Sequence, residues 1–567
     1  MLSRILCMMV LVAGLSAQQA PAAPASPAGT PQSSAPGQQG FRISGIAVNS
    51  LTGQPLAGAS VAIAPLAQGS ERDVTKSVVT AADGRFAFSP LRQGKYSLMA
   101  MARGFSLQYF DHHDVYATAI AVGPGLDSEH LVFRLQPDTS IEGVVTDENN
   151  DPVQYAMVRL FQTSTEGGEQ KTRPVRGAQT DDQGHYLIGH LAPGAYYLVV
   201  SARPWYAQNV RPPRGLNSSS AYAEDVQQED AALDVTYPLT FYPDATDSAN
   251  ASPIQLAAGA RETADVVMRA VPSLHLRIHT PPSSQGAVIG RMIFPRVSQR
   301  IFDGYIDSMF NAPDSWIAPG VLEISGLAPG HYVIELSPSS GINDKGNGKA
   351  WYREIDLTGD ADINAAEGAA FVTVTGTILF ENSRVPKHAF IELINPETGE
   401  RFNSSISTGG EFDFNSDDVR PGRYAIQLVG GESFYLKKLV ATGAKVAGRA
   451  IEIGSPGNVH LAIIASRGEA QVEGTVIREG QPFSGAMVVL VPQDPGNNAP
   501  LFRRDQSDSD GTFTLSHVAP GQYTVIALAN GWDLEWANPT VLQPYLKGGQ
   551  TVQVPPDGKL NVKVSVE

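Results

Sequence analysis

The chain has 567 residues, of which 42 % are hydrophobic and 17 % charged, and its formal net charge is −16. An acidic chain of this kind is a poor partner for nucleic acid and for anionic membrane surfaces, and we expect it to bind neither. The length suffices for about four or five domains of ordinary size. The 55 glycines and 40 prolines, without sustained helical periodicity, predict many short strands joined by turns.

Residues 1–17 have the composition of a secretory signal peptide. Arg4 precedes an apolar run from Ile5 to Leu15, and we expect cleavage after Ala17. The run is too short to span a membrane, and no later segment approaches the ~20 apolar residues that a transmembrane helix needs. We therefore expect an exported chain without an integral membrane segment after signal removal, located extracellularly, on the cell surface or in the periplasm.

The segment after the expected signal differs sharply in composition. Residues 18–40 consist largely of proline, alanine, serine and glutamine without any charge, which predicts a disordered linker. The only cysteine, Cys7, lies inside the signal. The exported chain is therefore expected to have no disulfide, no thiolate nucleophile and no cysteine-bound metal.

A sequence pattern then recurs five times. Each copy has a tight turn rich in small or acidic residues, a strand that begins with a bulky residue, and a second turn whose glycine lies two positions before a tyrosine. The strands begin at Phe86, Tyr186, Leu322, Phe412 and Phe513, and the tyrosines are Tyr96, Tyr196, Tyr332, Tyr424 and Tyr523. Glycine in the first turn predicts positive φ, and the second turn is predicted to be type II with a left-handed glycine. Each tyrosine is predicted to cover a core with its hydroxyl at the rim.

Four of the copies also share an opening strand with an internal glycine, at Gly45, Gly143, Gly376 and Gly474. Such a glycine indicates a bulge or a close backbone approach. The repeats predict an all-β tandem array of about five β-sandwich domains, over residues 41–137, 138–271, 272–369, 370–467 and 468–567. The second carries a long insertion at about 203–246, and the third is diverged. Short links predict an elongated, string-like monomer.

The pattern in the second domain is carried by Gly143-Val144-Val145, Pro152, Ala156, Val158, Leu160 and the run from Asp182 to Tyr196. The last domain repeats it in Gly474-Thr475-Val476, Pro482, Ala486, Val488, Leu490 and the run from Asp508 to Tyr523. This pattern resembles the carboxypeptidase regulatory-like domain, an Ig-like or transthyretin-like sandwich appended to metallocarboxypeptidases, and also the wider carbohydrate-binding-like fold. Residues 237–268 are similar to large families of secreted bacterial proteins. The resemblance implies the fold and leaves the role open, because such sandwiches serve many functions.

Because the resemblance suggests a peptidase, the sequence would need the zinc ligands of one. None of the eleven histidines begins a His-x-x-Glu pair, and a His-Glu-x-x-His motif does not occur. A nucleophile elbow, a phosphate-binding loop and a dinucleotide fingerprint are also missing. We therefore predict that the chain is not an enzyme and uses no cofactor or metal. The acidic clusters at 147–151, 360–367 and 508–510 are interpreted as turns, with calcium binding left open, and His112-His113 as a solvated loop.

The candidate ligand-binding residues are aromatics outside the strand pattern. They are Trp205, Tyr206, Phe241, Tyr242, Trp532 and Trp536, and Trp351 and Tyr352 belong to the same class. Sugar rings stack on such side chains, whereas the alternative is that they plug domain ends or joints. Trp532 and Trp536 are favoured because the last domain is expected to have one end without a neighbour.

Two non-catalytic functions remain open at this point, and a third hypothesis, a hydrolase with an improvised site, would require convergent titratable groups in one cleft. The first is a non-catalytic exported scaffold or adhesion-type protein, with another surface protein as partner. The alternative is an array of carbohydrate-binding modules that binds polysaccharide through the loop aromatics.

Overall fold

The computed structural model describes residues 40–66, 75–207, 232–280, 293–307, 314–318, 320–338, 351–414, 419–430, 434–468 and 470–567. The predicted signal peptide and linker, up to residue 39, lie outside the described residues, as does the middle of the long insertion. Residues 41–567 form one compact unit. Its described residues are strands and turns, with short 3-10 turns and one α-helix.

The described strands group into five β-sandwiches, which we call the first to the fifth sandwich. The first contains β1 (Phe41–Asn49), β2 (Ser60–Pro65), β3 (Lys76–Val79), β4 (Arg85–Leu91), β5 (Gly94–Ala102), β6 (Phe105–Tyr109), β7 (His112–His113), β8 (Tyr116–Ala117), β9 (Ile120–Val122) and β10 (Leu131–Leu135). The second contains β11 (Thr139–Thr146), β12 (Met157–Glu166), β13 (Glu169–Gln179), β14 (His185–Leu191), β15 (Gly194–Ser201), β16 (Val235–Thr236), β17 (Thr240–Phe241), β18 (Ile254–Leu256), β19 (Arg261–Thr263) and β20 (Val266–Val267).

The remaining three sandwiches follow directly. The third contains β21 (Val271–Pro272), β22 (Leu274–His279), β23 (Ile293–Ile301), β24 (Gly304–Asp307), β25 (Asp314–Ala318), β26 (Val321–Leu327), β27 (Gly330–Pro338), β28 (Trp351–Leu357), β29 (Ala361–Asn364) and β30 (Ala369–Ala370). The fourth contains β31 (Thr373–Phe380), β32 (Phe390–Ile394), β33 (Arg401–Ser405), β34 (Glu411–Asp413), β35 (Gly422–Val429), β36 (Phe434–Thr442), β37 (Lys445–Ala447), β38 (Ala450–Ile453) and β39 (Asn458–Arg467). The fifth contains β40 (Ala470–Arg478), β41 (Gln481–Pro482), β42 (Met487–Pro492), β43 (Arg503–Gln506), β44 (Thr512–Val518), β45 (Gly521–Leu528), α1 (Pro539–Leu546), β46 (Gln550–Val554) and β47 (Gly558–Ser565).

All five sandwiches share one plan. In one sheet the opening strand pairs antiparallel with the strand that follows the first turn and parallel with the closing strand, as in β10–β1–β4. The strand that carries the signature tyrosine lies in the other sheet, as in β3–β2–β5–β6. Apolar side chains from the facing sheets fill the space between them, in one buried cluster per sandwich. The expected all-β tandem fold is therefore confirmed, whereas the boundaries between the sandwiches stay a prediction.

The opening-strand glycines each lie opposite an aromatic residue. The register pairs Gly45 with Phe86, Gly143 with Tyr186, Gly376 with Phe412 and Gly474 with Phe513. A Cβ on Gly474 would lie 2.4 Å from the carbonyl oxygen of Val562 in the closing strand and 2.7 Å from the ring of Phe513. The predicted close approach is confirmed. The third sandwich has Ile278 opposite Leu322 at this place, so that neither glycine nor aromatic is needed.

The five signature tyrosines share one hydrogen bond. Each hydroxyl donates to the carbonyl oxygen four residues earlier, at 2.7 to 3.1 Å. Four of the rings are almost fully buried, and Tyr96 is half-buried. The prediction of a buried ring with its hydroxyl at the rim is confirmed, and the arrangement matches the tyrosine corner of β-sandwiches.

The two turns of the signature differ from each other. First-turn glycines have positive φ as predicted, for example 74° at Gly184 and 75° at Gly511. The second-turn prediction is wrong, because Gly194 and Gly521 have φ of 155° and 156° instead of the roughly +80° of a type II turn. Each is already the first residue of the tyrosine strand and therefore extended.

The helix α1 was not predicted. It has only eight residues and begins at Pro539 after the cap Asn538. Because it is short and contains a second proline, no helical periodicity marks it in the sequence. Leu542 packs it on the outer face of the β42–β45 sheet, against Met487 and Leu528. The fifth sandwich thus has a second apolar cluster outside its core, to which Trp532 and Trp536 also belong.

Candidate functional site

The first and fifth sandwiches, at opposite ends of the chain, are in direct contact. Backbone N–H of Ser509 donates to the carbonyl of Ala119 at 3.0 Å, and N–H of Ala119 donates to the Asp508 carboxylate at 2.9 Å. The buried Gln506 amide donates to the carbonyl of Asp111 at 2.5 Å and to the hydroxyl of Thr118 at 2.7 Å. We call this contact the closing interface.

Two ion pairs border the closing interface. Lys95 of the first sandwich pairs with Asp508, and its ammonium also donates to the Thr512 hydroxyl at 2.7 Å. Burial raises the pKa of Asp508, and the hydrogen bond and charge of Lys95 act in the opposite direction. The Arg504 guanidinium donates to Asp114 at 2.7 Å, with only 7 % of the arginine side chain exposed. Charges held this way fix the register of the two sandwiches.

Aromatic rings form the third part of the closing interface. His113 stacks on Trp532 with ring centroids 4.7 Å apart and planes at 6°. The Arg504 guanidinium carbon lies 4.8 Å from the Tyr116 ring, 5.6 Å from Trp532 and 4.7 Å from Trp536. An arginine among three rings is an arrangement in which the cation–π attraction is strengthened by desolvation.

The closing interface corrects three sequence-based expectations. The end of the fifth sandwich that bears Trp532 has the first sandwich as its neighbour and is not free. The array is not an open string, because its ends meet. His113 is part of an interface, so its interpretation as a solvated loop is wrong. The sequence does not reveal this interface, because its contacts join residues hundreds of positions apart. Whether Trp532 and Trp536 bind a ligand stays a prediction.

A long hairpin of the second sandwich, β12–β13, reaches three other sandwiches. Its strands pair from Met157 opposite Gln179 to Glu166 opposite Glu169. At its tip, the carbonyl of Gly168 accepts from the N–H of Ala537 at 3.1 Å, and the N–H of Gln170 donates to Glu535 at 3.1 Å. The tip therefore contacts the fifth sandwich beside the helix α1.

Farther along β13, the hairpin bonds to the third and fourth sandwiches. The Arg173 guanidinium donates to the carbonyl of Asp303 at 2.8 Å and to that of Thr398 at 2.5 Å. The Lys171 ammonium donates to the carbonyl of Pro396, and N–H of Thr172 donates to the Asp303 carboxylate at 2.8 Å. The hairpin thus bridges separate sandwiches.

The ring of Phe302, in the third sandwich, packs against an apolar cluster on the second. Its ring centroid lies 5.4 Å from that of Phe161, 5.0 Å from Tyr197 and 5.7 Å from Phe241. Phe241, a candidate for ligand binding, is therefore buried in this joint with 3 % exposure. Tyr242, the next candidate, packs against the core of the second sandwich.

A buried charge cluster lies at the same junction. The His275 ring, in β22, donates to the carboxylate of Asp234, which precedes β16, at 2.8 Å and lies 3.7 Å from Glu323 of β26. The Arg277 guanidinium donates to Glu323 at 3.0 Å. Hydrogen bonding to Glu323, supported by Asp234, raises the pKa of His275 to about 9 against the effect of burial. The same pairing lowers the pKa of Glu323 to about 2.

The remaining aromatic candidates have different surroundings. Trp205 is 87 % exposed and meets Tyr206 edge-on, with ring centroids 5.7 Å apart. The Tyr206 hydroxyl donates to Glu148 at 3.2 Å. Trp351 packs into the third core, and Tyr352 faces the Arg420 guanidinium of the fourth sandwich at 5.0 Å. Trp205 and Tyr206 are thus the accessible pair among the candidates.

The acidic cluster at 147–151 forms a turn, and Asp508 of the cluster at 508–510 belongs to the closing interface. The Asp147 carboxylate accepts from the N–H groups of Asn149 at 2.8 Å and Asp151 at 2.9 Å, which closes the loop on itself. In the described part of the chain, no group of three or more His, Cys, Asp or Glu side chains could hold a metal ion. Within the same residues, no helix is long and apolar enough to cross a membrane.

The family model of the carboxypeptidase regulatory-like domain matches residues 42–136, 140–220 and 471–567. These segments fall in the first, second and fifth sandwiches. Three regions of the chain therefore match the carboxypeptidase regulatory-like domain in tandem, as the sequence pattern indicated. A comparison with curated proteins finds no match.

Several solved structures match this chain at low sequence identity. The Bacillus anthracis TIE protein is 11 % identical, covering 94 % of this chain and 75 % of its own, with a TM-score of 0.16. The minor pilin GBS52 of Streptococcus agalactiae is 13 % identical over 41 % and 97 %, with a TM-score of 0.19. The major pilin subunit BcpA of Bacillus cereus is 12 % identical over 75 % and 99 %, with a TM-score of 0.14. TM-scores this low carry no argument about the present chain.

Proposed function

We propose that this protein is an exported, non-catalytic scaffold whose sandwiches are locked into a closed circuit and present their outer surfaces in fixed relative positions. The observation that carries the proposal is the closing interface, in which the first and fifth sandwiches share ion pairs, a buried amide and a stacked ring pair. A flexible tether would need no such contact. Export follows from the expected signal peptide, and the partner of such a scaffold is another surface protein.

The interfaces combine groups that are costly to expose once buried. Arg504 and Gln506 are both held with little exposure, and each has its polar contacts across the closing interface. Separation of the sandwiches would leave Trp532 and Tyr116 partly uncovered as well. Because buried polar groups without partners are penalised, the closed state is favoured once it forms.

Small-angle scattering tests the closed circuit. We expect the protein without its linker to have a radius of gyration nearer the roughly 24 Å of a compact chain of this length than that of an extended array. The double variant Trp532→Ala, Arg504→Ala removes the stack and one ion pair, and its radius of gyration should increase. Trp205→Ala, at an exposed tryptophan, is the matched control and should leave it unchanged. The proposal is contradicted if the wild type is extended and the double variant has the same radius of gyration.

A second candidate function is polysaccharide binding, and the exposed Trp205 with the adjoining Tyr206 favours it. An exposed indole offers its apolar face to a sugar ring at little desolvation cost. Tryptophan fluorescence of the wild type and of Trp205→Ala would be titrated with soluble polysaccharides. Saturable quenching in the wild type alone supports this function, and an identical response in both proteins rules out Trp205 as its site.

A further inference from the structure

A cavity lies between the fourth and fifth sandwiches. Its volume is about 260 Å³, and its lining includes the exposed residues Gly430 and His517. The apolar part of the cavity wall consists of Phe434 and Leu428 from the fourth sandwich and Leu501 from the fifth. The cavity has the size of a small organic molecule and walls from two sandwiches.

Two arginines give the cavity its charge. Arg449 of the fourth sandwich and Arg503 of the fifth both line it, and its lining contains no aspartate or glutamate. Among the described residues, both guanidiniums donate to backbone carbonyls, and no carboxylate contributes to the pKa shift of either. The cavity is therefore a positive site in a chain whose formal net charge is −16.

Neutral carbonyl groups hold both arginines in place. Arg503 donates to the carbonyl of His517 at 3.2 and 2.8 Å and to those of Pro500 and Phe502 at 2.9 and 2.7 Å. Arg449 donates to the carbonyl of Leu436. These bonds orient the guanidiniums without neutralising them, so the two positive charges remain uncompensated.

The electrostatic consequences are visible in neighbouring groups. Burial lowers the pKa of Arg449 and of Arg503, because the charged form loses water and gains no counter-charge. Burial raises the pKa of the Tyr523 hydroxyl, and the charges of both guanidiniums act in the opposite direction. Both guanidiniums belong to residues that line the same cavity. Buried charge without a partner is unfavourable, and a bound anion would supply the missing partner.

We propose that this cavity is a binding site for a small organic carboxylate. The carboxylate accepts hydrogen bonds from the N–H groups of Arg449 and Arg503 that the carbonyls leave over, and the positive charges strengthen these bonds. The body of the ligand lies along Phe434, Leu428 and Leu501. Because the site is built from two sandwiches, ligand binding also strengthens their contact.

Calorimetric titration of the full chain with sodium glucuronate, glucose and sodium acetate tests the proposal. Glucuronate and glucose share a sugar ring and differ in the carboxylate, and acetate offers the carboxylate alone. We expect saturable binding of glucuronate, none of glucose, and a rise in melting temperature with glucuronate. Binding of acetate as tight as that of glucuronate would assign recognition to the carboxylate alone. Weaker binding of acetate would assign part of it to the body of the ligand.

Three variants identify the site. Arg449→Gln should weaken glucuronate binding at least tenfold, and Arg449→Lys should retain part of it because the charge is kept. Arg423→Gln is the matched control, since Arg423 bonds to Gly496 and Asn497 at the same junction but does not line the cavity. The proposal is overturned if the wild type binds neither carboxylate, if glucose binds equally, or if folded Arg449→Gln binds like the wild type. The wild-type titrations decide the matter even if Arg449→Gln fails to fold.

Discussion

The opening-strand glycines make room for two neighbours at once. At Gly143, a Cβ would lie 2.3 Å from the carbonyl oxygen of Ala264 and 3.0 Å from the hydroxyl oxygen of Tyr186. That hydroxyl donates to the same carbonyl, so ring, carbonyl and glycine form one packed unit. The pairing explains why glycine and aromatic occur together in four sandwiches and are both replaced in the third.

Gly143→Ala should therefore destabilise the second sandwich, because the carbonyl of Ala264 belongs to a paired backbone and cannot move away cheaply. We expect a loss of about 1–3 kcal/mol, as for other overpacked cores. Gly189→Ala is the control in the same sandwich, since a Cβ there meets nothing within 4 Å. If denaturant titration gave equal free energies of unfolding for the two variants, the close approach at Gly143 would not affect the stability of the second sandwich.

The signature tyrosines combine a buried ring with one hydrogen bond. Tyr523→Ala should destabilise the fifth sandwich by about 3 kcal/mol, the cost of deleting a buried aromatic ring. Tyr523→Phe keeps the ring and loses only the bond to the carbonyl of Ala519, and should cost about 1 kcal/mol. Thermal unfolding of both variants separates the two contributions. A variant Tyr523→Ala that melted like the wild type would refute the structural role of the tyrosine.

Among the elements, the β12–β13 hairpin differs most from its counterparts in the other sandwiches. Its strand β12 packs in the core of the second sandwich, and β13 and the tip form hydrogen bonds to three further sandwiches. Gly167 and Gly168 form the tip, and only Gly168 is buried. A hairpin that is paired along its full length is stiff enough to carry such contacts.

Gly168→Ala should detach the tip from the fifth sandwich. A Cβ at Gly168 would lie 2.1 Å from the Cβ of Ala537, whereas one at Gly167 would meet nothing within 4 Å. Both glycines have positive φ, 61° at Gly167 and 92° at Gly168, so an alanine is strained at each and more so at Gly168, and only Gly168→Ala also loses the contact. Limited proteolysis should cleave the hairpin of Gly168→Ala faster than that of Gly167→Ala. Equal cleavage rates would mean that the tip contact contributes nothing.

Local sequence patterns predict the strands and turns, but they do not predict which of them contact each other in the folded chain. Strand alternation and turn glycines act over a few residues, so the all-β repeat followed from the sequence. Lys95 lies at the start of β5 and Asp508 in a turn, and nothing in the local sequence of either specifies which distant residue it will meet. Trp532 and Trp205 looked alike as candidates, because residue type alone does not distinguish a ring that faces another sandwich from one that faces water.

At the scale of the whole molecule, stability depends on junctions whose charges titrate. The His275 pKa, raised from 6.5 to about 9, contributes stability that is complete below about pH 6.5 and is lost as the pH rises through 9. The Glu323 pKa, lowered from 4.5 to about 2, contributes stability above about pH 4.5 that is lost as the pH falls towards 2. The junction of the second and third sandwiches should be strongest between these limits.

His275→Gln tests this dependence. Its melting temperature should fall below that of the wild type by a constant amount between about pH 4.5 and 6.5, and the difference should shrink towards pH 9. His279→Gln, on the same strand with a half-exposed ring, is the control and should follow the wild type. A difference for His275→Gln that did not change with pH would show that the imidazolium contributes no pH-dependent stability.

The parallel pairing of first and last strands has a mechanical consequence. In the fifth sandwich, β40 and β47 are aligned from Ala470 opposite Gly558 to Ile477 opposite Ser565, and β31 and β39 are aligned similarly in the fourth. The chain thus enters each of these sandwiches at one end and leaves at the other. Tension along the chain loads the whole ladder in shear, so its hydrogen bonds must break together and not one after another. Single-molecule pulling should therefore show high rupture forces, and sawtooth peaks at low force would contradict this reading.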